Sequence, residues 1–161
     1  MESKVDDIDW KLLYELQRNA RLSYSELGRR VGLTSPAVAE RVHRLEEAGV
    51  ITGYRVDLNV QKLGHAVTAV IRLQMAEGGC ARFVRVAPEF PEIHECLRVT
   101  GADSYIIKVV VASIGHLESF LDRLSAHGTT ITSVVLSTPV THRVVEPPAA
   151  VGAAPGWSRA G

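Results

Sequence analysis

Two short stretches carry side chains whose types and spacing suit molecular recognition. The first is Thr34-Ser35-Pro36-Ala37-Val38-Ala39-Glu40-Arg41-Val42-His43-Arg44-Leu45. At helical spacing Val38, Val42 and Leu45 form one apolar stripe. Ser35, Ala37, Glu40, Arg41, His43 and Arg44 then lie on the opposite face. A major groove about 12 Å wide admits one such helix. Arg41 and Arg44 would meet guanine edges or phosphates, Glu40 a cytosine amine and Ala37 a thymine methyl. Ser35, beside the unpaired N–H groups of a helix N-terminus, would meet a phosphate. A helical protein-interaction domain would show the same pattern, so the neighbouring segments must decide.

The second stretch is the turn Thr100-Gly101-Ala102-Asp103-Ser104 leading into Tyr105. A glycine-bearing turn offers backbone N–H groups to a carboxylate, and Asp103 suits an ammonium group. On the residues alone, a plain β-hairpin that needs Gly101 only for backbone geometry is the favoured account. Catalytic constellations are sparse. His94 and Cys96 share one strand face at i, i+2, which makes a metal pair geometrically possible. Cys80, His116 and His127 are the remaining ligand or acid types, but no third ligand has recognisable spacing. No Ser/His/Asp order, phosphate loop or paired carboxylates emerge. The expectation is a protein that is not an enzyme and holds neither metal nor cofactor.

Three short helices must position the first stretch. Asp6 caps the first, with Asp9 three residues on and Ile8, Leu12, Leu13 and Leu16 along one face. Ser23 caps the second, whose Leu27 and Val31 point the same way and whose end Gly32 supplies in a left-handed conformation. Ser35 is the expected cap of the third, Pro36 suits its first turn, and it ends at Gly49. Only Gly32-Leu33-Thr34 separates helices two and three, the spacing of a helix-turn-helix. Val50 to Leu58 is β-prone around Gly53, which suits a short hairpin or wing. These elements define a winged helix-turn-helix domain over residues 1–58, followed by a linker at 59–64.

From residue 65 the periodicity becomes two. Val67, Ala69, Ile71, Leu73 and Met75 alternate with polar residues as in a half-buried strand. A helix carrying Phe83, Val84 and Ala87 follows, then strands over Ile93–Val99 and Tyr105–Val111. A second helix places Leu117, Phe120, Leu121 and Leu124 on one face, and a last strand runs over roughly residues 130–138. The order is βαββαβ, a ferredoxin-like domain over residues 65–145, so the fold class is α+β. Helices cover one sheet face, and the other face, rich in Val, Ile and Leu, needs a partner. Residues 146–161 hold three Pro, three Gly and five Ala, a composition expected to be disordered, with Trp157 incidental.

Composition narrows the classes further. The 161 residues are 46% hydrophobic and 22% charged, which excludes a disordered, collagen-like or membrane-spanning chain. Eighteen basic residues balance eighteen acidic ones, so no bulk charge draws the chain to nucleic acid or lipid. Locally the balance differs: residues 18–55 hold seven Arg against four Glu, after two basic and five acidic residues in 1–17. A solvated helix face would show the same excess. The two cysteines, without a Cys-x-x-Cys pair, exclude a disulfide-dense scaffold and a zinc ribbon. Met1 to Asp7 lacks the basic start and apolar core of a signal peptide, and a cytoplasmic location without a membrane partner is expected.

Several of these motifs occur together in one known family. Asp6-Asp7-Ile8-Asp9, Leu12-Leu13, Leu16, Ala20-Arg21-Leu22-Ser23, Glu26-Leu27 and Val31-Gly32-Leu33 resemble the N-terminal signature of the Lrp/AsnC (leucine-responsive/asparagine-responsive) transcription regulators. So do Arg41-Val42, Arg44-Leu45-Glu46 and Gly49-Val50-Ile51-Thr52-Gly53-Tyr54. The similarity runs from about residue 6 to 143, and Val99-Thr100-Gly101 through Tyr105 is similar to that family's sensing domain. The resemblance implies double-stranded DNA as partner, an amino acid as effector, and homodimers assembling to octamers. It implies an effector site made of Thr100, Gly101, Ala102, Asp103, Ser104 and Tyr105 with Thr132, Ser133, Val134 and Val135, the latter from a neighbouring subunit. Many members carry an acidic residue where this chain has Ser104. Siroheme decarboxylases resemble these regulators in both domains and supply the enzyme alternative; an architectural DNA-binding protein without effector is the third.

Overall fold

Asp6 starts helix α1 (Asp7–Arg18) by accepting hydrogen bonds from the backbone N–H groups of Ile8 and Asp9 at 2.9 and 2.8 Å. The Asp9 carboxylate reaches back to the Asp6 N–H, so two donors without helical partners are satisfied reciprocally. Ser23 and Glu26 repeat the device at α2 (Tyr24–Val31), which Gly32 closes at φ 76°. Helix α3 (Ser35–Glu47) departs from expectation at its cap. Thr34 holds the capping position and its hydroxyl accepts from the Ala37 N–H at 3.4 Å. Ser35 is already helical, one residue inside, so its own hydroxyl is released from capping. Leu12, Leu16, Leu27, Val38 and Val42 make the core of this unit, with Leu22, Val31, Leu33 and Ile51 packed around them.

The turn between α2 and α3 depends on Gly28. A Cβ there would stand 2.4 Å from the Leu33 carbonyl oxygen, and the Leu33 N–H donates to the Gly28 carbonyl at 2.9 Å. Backbone meets backbone at that point, and any side chain would push the two helices apart.

The expected wing is not formed. Residues 50–58 contain no strand. The N–H groups of Val50 and Ile51 return to the Leu45 carbonyl at 2.9 and 3.1 Å, and Tyr54 donates its hydroxyl to Glu46 Oε1 at 2.8 Å. Ile51 is drawn into the helical core. A β-prone segment without a partner strand has no ladder to join, and α3 holds it instead. The linker at 59–64 is ordered as one 3-10 turn, Val60–Leu63, capped by Asn59 and closed by Gly64 at φ 90°.

The computed structural model describes residues 5–76 and 78–148, which fall into two units. The first unites the chain up to Val56 with the chain from Val140; the second runs from Asp57 to Pro139. The expected bounds are 58 and 145; contacts within the chain divide it at Val56 and again at Pro139, the second at a segment that returns to the helical unit. Gln17 explains the second: its amide donates to the Val145 carbonyl at 3.1 Å and accepts from the Val145 N–H at 2.9 Å. Most of the segment expected to be disordered, including Trp157, lies outside the described residues.

The second unit is a four-stranded antiparallel sheet in the order β2-β3-β1-β4, with β1 Val67–Gln74, β2 Ile93–Arg98, β3 Tyr105–Val111 and β4 Thr129–Val134. Helices α4 (Gly79–Val86) and α5 (Ile114–Ser125) complete the ferredoxin-like βαββαβ order. Ala69, Ile71 and Leu73 of β1 and Tyr105, Ile107, Val109 and Val111 of β3 face the core with Phe83, Leu117, Phe120 and Leu124. Strand β4 ends four residues before expected. On the other sheet face, register places Ile106 between Arg72 and Leu97, and Lys108 between Val70 and Glu95. That face is mixed rather than uniformly apolar. No helix among the described residues is long and apolar enough to cross a membrane.

Replacing Gly28 by alanine is expected to destabilise the protein by about 1–3 kcal/mol, the usual cost of overpacking a filled site. A lower urea midpoint with an unchanged slope would agree; an unchanged midpoint would show that the turn relaxes freely.

Candidate nucleic-acid interface and ligand turn

Helix α3 presents Ser35, Glu40, His43 and Arg44 as exposed side chains, with Ala37 half-buried beside them. His43 lies 3.3 Å from Glu47 Oε1, one helical turn on. Arg41 is placed otherwise than its spacing suggested. Its Nη1 donates to Asp6 Oδ2 at 2.7 Å and to Asp9 Oδ1 at 2.8 Å, and only 24% of the side chain is exposed. Arg44 Nη2 reaches both oxygens of Asp9, at 2.9 and 3.1 Å, with half of the side chain still in solvent. Asp9 itself is 1% exposed. Arg41 thus stands on the flank of α3 that α1 covers. The hydrogen bond to Asp6 leads the causes that raise the Arg41 pKa; the bond from Arg41 leads those that hold the Asp6 carboxyl below its usual range.

Asp9 is the residue that sequence reasoning undervalued. Its place three residues after Asp6 explains it fully as a capping-box member. The signal for a second role was its position one helical turn before Leu12 and Leu13, on the side of α1 that packs. Gly28 left no signal, because the reason for it is a carbonyl five residues away.

In the sheet unit, the turn after β2 is pinned at one end. The Ser104 N–H donates to the Leu73 carbonyl at 2.9 Å, and the Ser104 hydroxyl accepts from the Met75 N–H at 3.1 Å. Asp103 accepts from Arg72 Nε at 2.8 Å. Gly101 takes φ 108°, a conformation that suits glycine. Thr100, Gly101 and Ala102 are exposed, and their backbone N–H groups make no hydrogen bond within the described residues. Tyr105 is not available to a ligand in this arrangement. It packs on Phe83 in the core and donates its hydroxyl to the Cys80 carbonyl at 3.1 Å. Its position as first residue of an inward-facing alternation, Tyr105-Ile107-Val109-Val111, decides this.

Thr132, Ser133 and Val134 lie on edge strand β4. They pair with Ile71, Val70 and Ala69, whereas Tyr105 pairs with Leu73. One chain therefore does not bring them together with the turn. The same register logic separates His94 and Cys96, which the spacing had put on one strand face. A bulge between Ile93 and Glu95 turns Ile93 and Cys96 toward the core and leaves His94 exposed. Burial pushes the Cys96 thiol up. No three His, Cys, Asp or Glu side chains gather to hold a metal ion among the described residues.

Comparison with known proteins settles the family. An AsnC-type helix-turn-helix domain matches residues 5–46, and an Lrp/AsnC ligand binding domain matches residues 68–145. The HTH-type transcriptional regulator YezC of Bacillus subtilis is 45% identical over 138 residues, covering 86% of this chain and 98% of that protein. This chain belongs to the Lrp/AsnC family. It is an Lrp/AsnC-type DNA-binding transcriptional regulator with a ligand-binding domain. The solved structure of LrpC from the same organism is 34% identical, with a TM-score of 0.81 over 86% of this chain and 99% of that one. A transcriptional regulator of Neisseria meningitidis, crystallised as an L-Met complex, gives a TM-score of 0.82 at 26% identity over 88% and 96%. For this Lrp/AsnC chain the relatives are transcriptional regulators, in keeping with a non-enzymatic protein.

Because the folded Asp6 carboxyl titrates below its ordinary range, its contribution to stability is present above that range and is lost as pH falls through the folded value. Asp6→Asn is expected to flatten the acid limb of stability between pH 7 and about 3. Denaturant midpoints across that interval that fall equally for both proteins would refute the role.

Proposed function

We propose that this protein is a sequence-specific regulator whose DNA binding responds to a free amino acid. The observation that carries the DNA part is α3 itself: a capped helix held by a glycine-dependent turn, with Ser35, Ala37, Glu40, His43 and Arg44 along one solvent-facing side. Such a helix lies in the major groove with its side chains at base edges. Ser35 meets a phosphate near the N–H groups of the first turn, and Glu40 accepts from a cytosine amine.

The amino-acid part rests on the Thr100–Asp103 turn. Exposed backbone N–H groups at Thr100, Gly101 and Ala102 suit an α-carboxylate, and the adjoining Asp103 suits an α-ammonium. The L-Met complex of the Neisseria regulator supports that ligand class. Ser133 and Val134 enter the site from a second copy of the chain, because their register keeps them from the turn of their own. Copies pair through the sheet face that carries Val70, Leu97, Ile106 and Ile131, and dimers assemble further to octamers. A symmetric dimer then addresses half-sites about one helical turn, ~10 bp, apart.

A thermal-shift screen against the twenty amino acids tests the ligand class. A ligand at 100 times its Kd is expected to stabilise the protein by about 2.7 kcal/mol; no shift with any of them would remove the sensing role. Gly101→Val is expected to weaken that response at least tenfold while DNA binding stays within about twofold, since φ 108° excludes a branched side chain. An unaltered dose–response would take the turn out of the site.

A further inference from the structure

We propose that Asp9 and Arg41 are positioning residues for DNA recognition, and that of the two arginines on α3 only Arg44 reaches the duplex. The inference rests on the reading of α3 as the DNA-contacting helix. It begins with an asymmetry in how the two side chains are held. Arg41 Nη1 serves two carboxylates from α1, Asp6 and Asp9, and most of its side chain is covered. Arg44 engages a single residue, Asp9, through Nη2, and half of it is in solvent.

Charge decides what each can leave. Asp9 is 1% exposed, and a carboxylate so buried is tolerated only while paired and hydrogen-bonded. If Arg44 swings out to a phosphate or base, Asp9 keeps Arg41 on Oδ1 and the backbone N–H of Asp6 on Oδ2. If Arg41 leaves, Asp6 loses its cation and Asp9 keeps only Arg44, which is then held back from the duplex. Arg41 is therefore the strut between the start of α1 and the middle of α3, and Asp9 is its anchor. The strut sets the rotation of α3 about its own axis, because Arg41 occupies the flank between the buried Val38–Val42 stripe and the exposed Glu40 and His43. Base-edge contact is sensitive to that rotation; phosphate attraction is much less so.

The two roles differ in their dependence on salt. A side chain that neutralises a phosphate releases a counterion, and losing it lowers the slope of log K against log salt by about 0.9. A strut contributes nothing to that slope. The experiment uses the full chain, a duplex selected by the protein from a random-sequence pool, and a scrambled duplex of the same composition. Affinities are measured between about 50 and 200 mM salt. Arg44→Gln is expected to lower the slope on both duplexes. Arg41→Gln and Asp9→Asn are expected to leave the slope unchanged while the preference for the selected duplex falls about tenfold. The double variant is expected to lose no more preference than either single one, since both remove the same strut.

Asp6→Asn, at an exposed position, removes one of the two acids and keeps the helix cap. It is expected to cost a smaller part of the preference at constant slope, and it serves where Asp9→Asn does not fold. Two results would overturn the proposal. One is a slope lowered as much by Arg41→Gln as by Arg44→Gln. The other is an undiminished preference for the selected duplex in a folded Asp9→Asn variant, as expected if its charge only masks two DNA-contacting arginines. If the unaltered protein shows no selection from the pool at all, the reading of α3 fails first and this one falls with it.

Discussion

A carboxylate removed from water dominates the helical unit. Asp9 sits at the crossing of α1 and α3 with 1% of its surface exposed, and its two oxygens collect guanidinium N–H donors from Arg41 and Arg44. Breaking such a pair by removing one partner typically costs about 3–5 kcal/mol, because the remaining charge stays buried. The constraint is directional as well as energetic. Leucine and valine contacts among Leu12, Leu16, Val38 and Val42 tolerate sliding, whereas charge-assisted hydrogen bonds from one nitrogen each of Arg41 and Arg44 demand a set distance and angle to the Asp9 oxygens. Gly28 fixes the turn before α3 by letting α2 approach the Leu33 carbonyl. Charge holds α3 at its middle and close backbone contact holds the turn that precedes it, so the rotation of the helix is set at two points.

The sheet unit repeats the device with different residues. Glu92 is its buried acid, and it accepts from Arg123 and His116 of α5. Burial works to raise its carboxyl, but hydrogen bonds from its own backbone and from those two side chains hold it below the usual range. Arg123 also lies over the Phe90 and Phe120 rings, so its cation is satisfied on both sides. In both units a buried acid ties a helix to another segment of the same unit. Non-directional packing supplies most of the stability and the ion pairs supply the orientation.

How far the sequence revealed this follows from the range of each interaction. Capping boxes at Asp6 and Ser23, and the alternation of Val67 to Leu73, involve residues within four positions, and local pattern exposes them. The ferredoxin-like order was legible for the same reason. The wing was not, because strand propensity in Val50 to Leu58 says nothing about whether a partner strand exists, and Leu45 and Glu46 claimed the segment first. Arg41 was misplaced because helical spacing assigns a face only to about one residue, and the covering element, α1, is 32 positions away at Asp9. Tyr105 failed by parity. A turn residue and the first strand residue are neighbours in sequence, but the pleat sends the latter into the core.

Differences in strength also explain why the C-terminal segment behaves unlike the clamp. Residues from Val140 rejoin the helical unit through Gln17, whose amide makes a pair of hydrogen bonds with Val145 much as a neighbouring strand would. Both bonds are exposed, and Val145 is itself largely in solvent. A net contribution of about 0.5–1.5 kcal/mol for each is the most such bonds supply. Water competes for these groups at every moment, whereas it has no access to Asp9. Opening at Gln17 therefore belongs to the low-energy local fluctuations of the native state, and opening at Asp9 is tied to loss of the α1–α3 crossing. The sequence carries both as a single polar residue on α1, separated by two helical turns; burial alone makes one a fastening and the other a structural anchor.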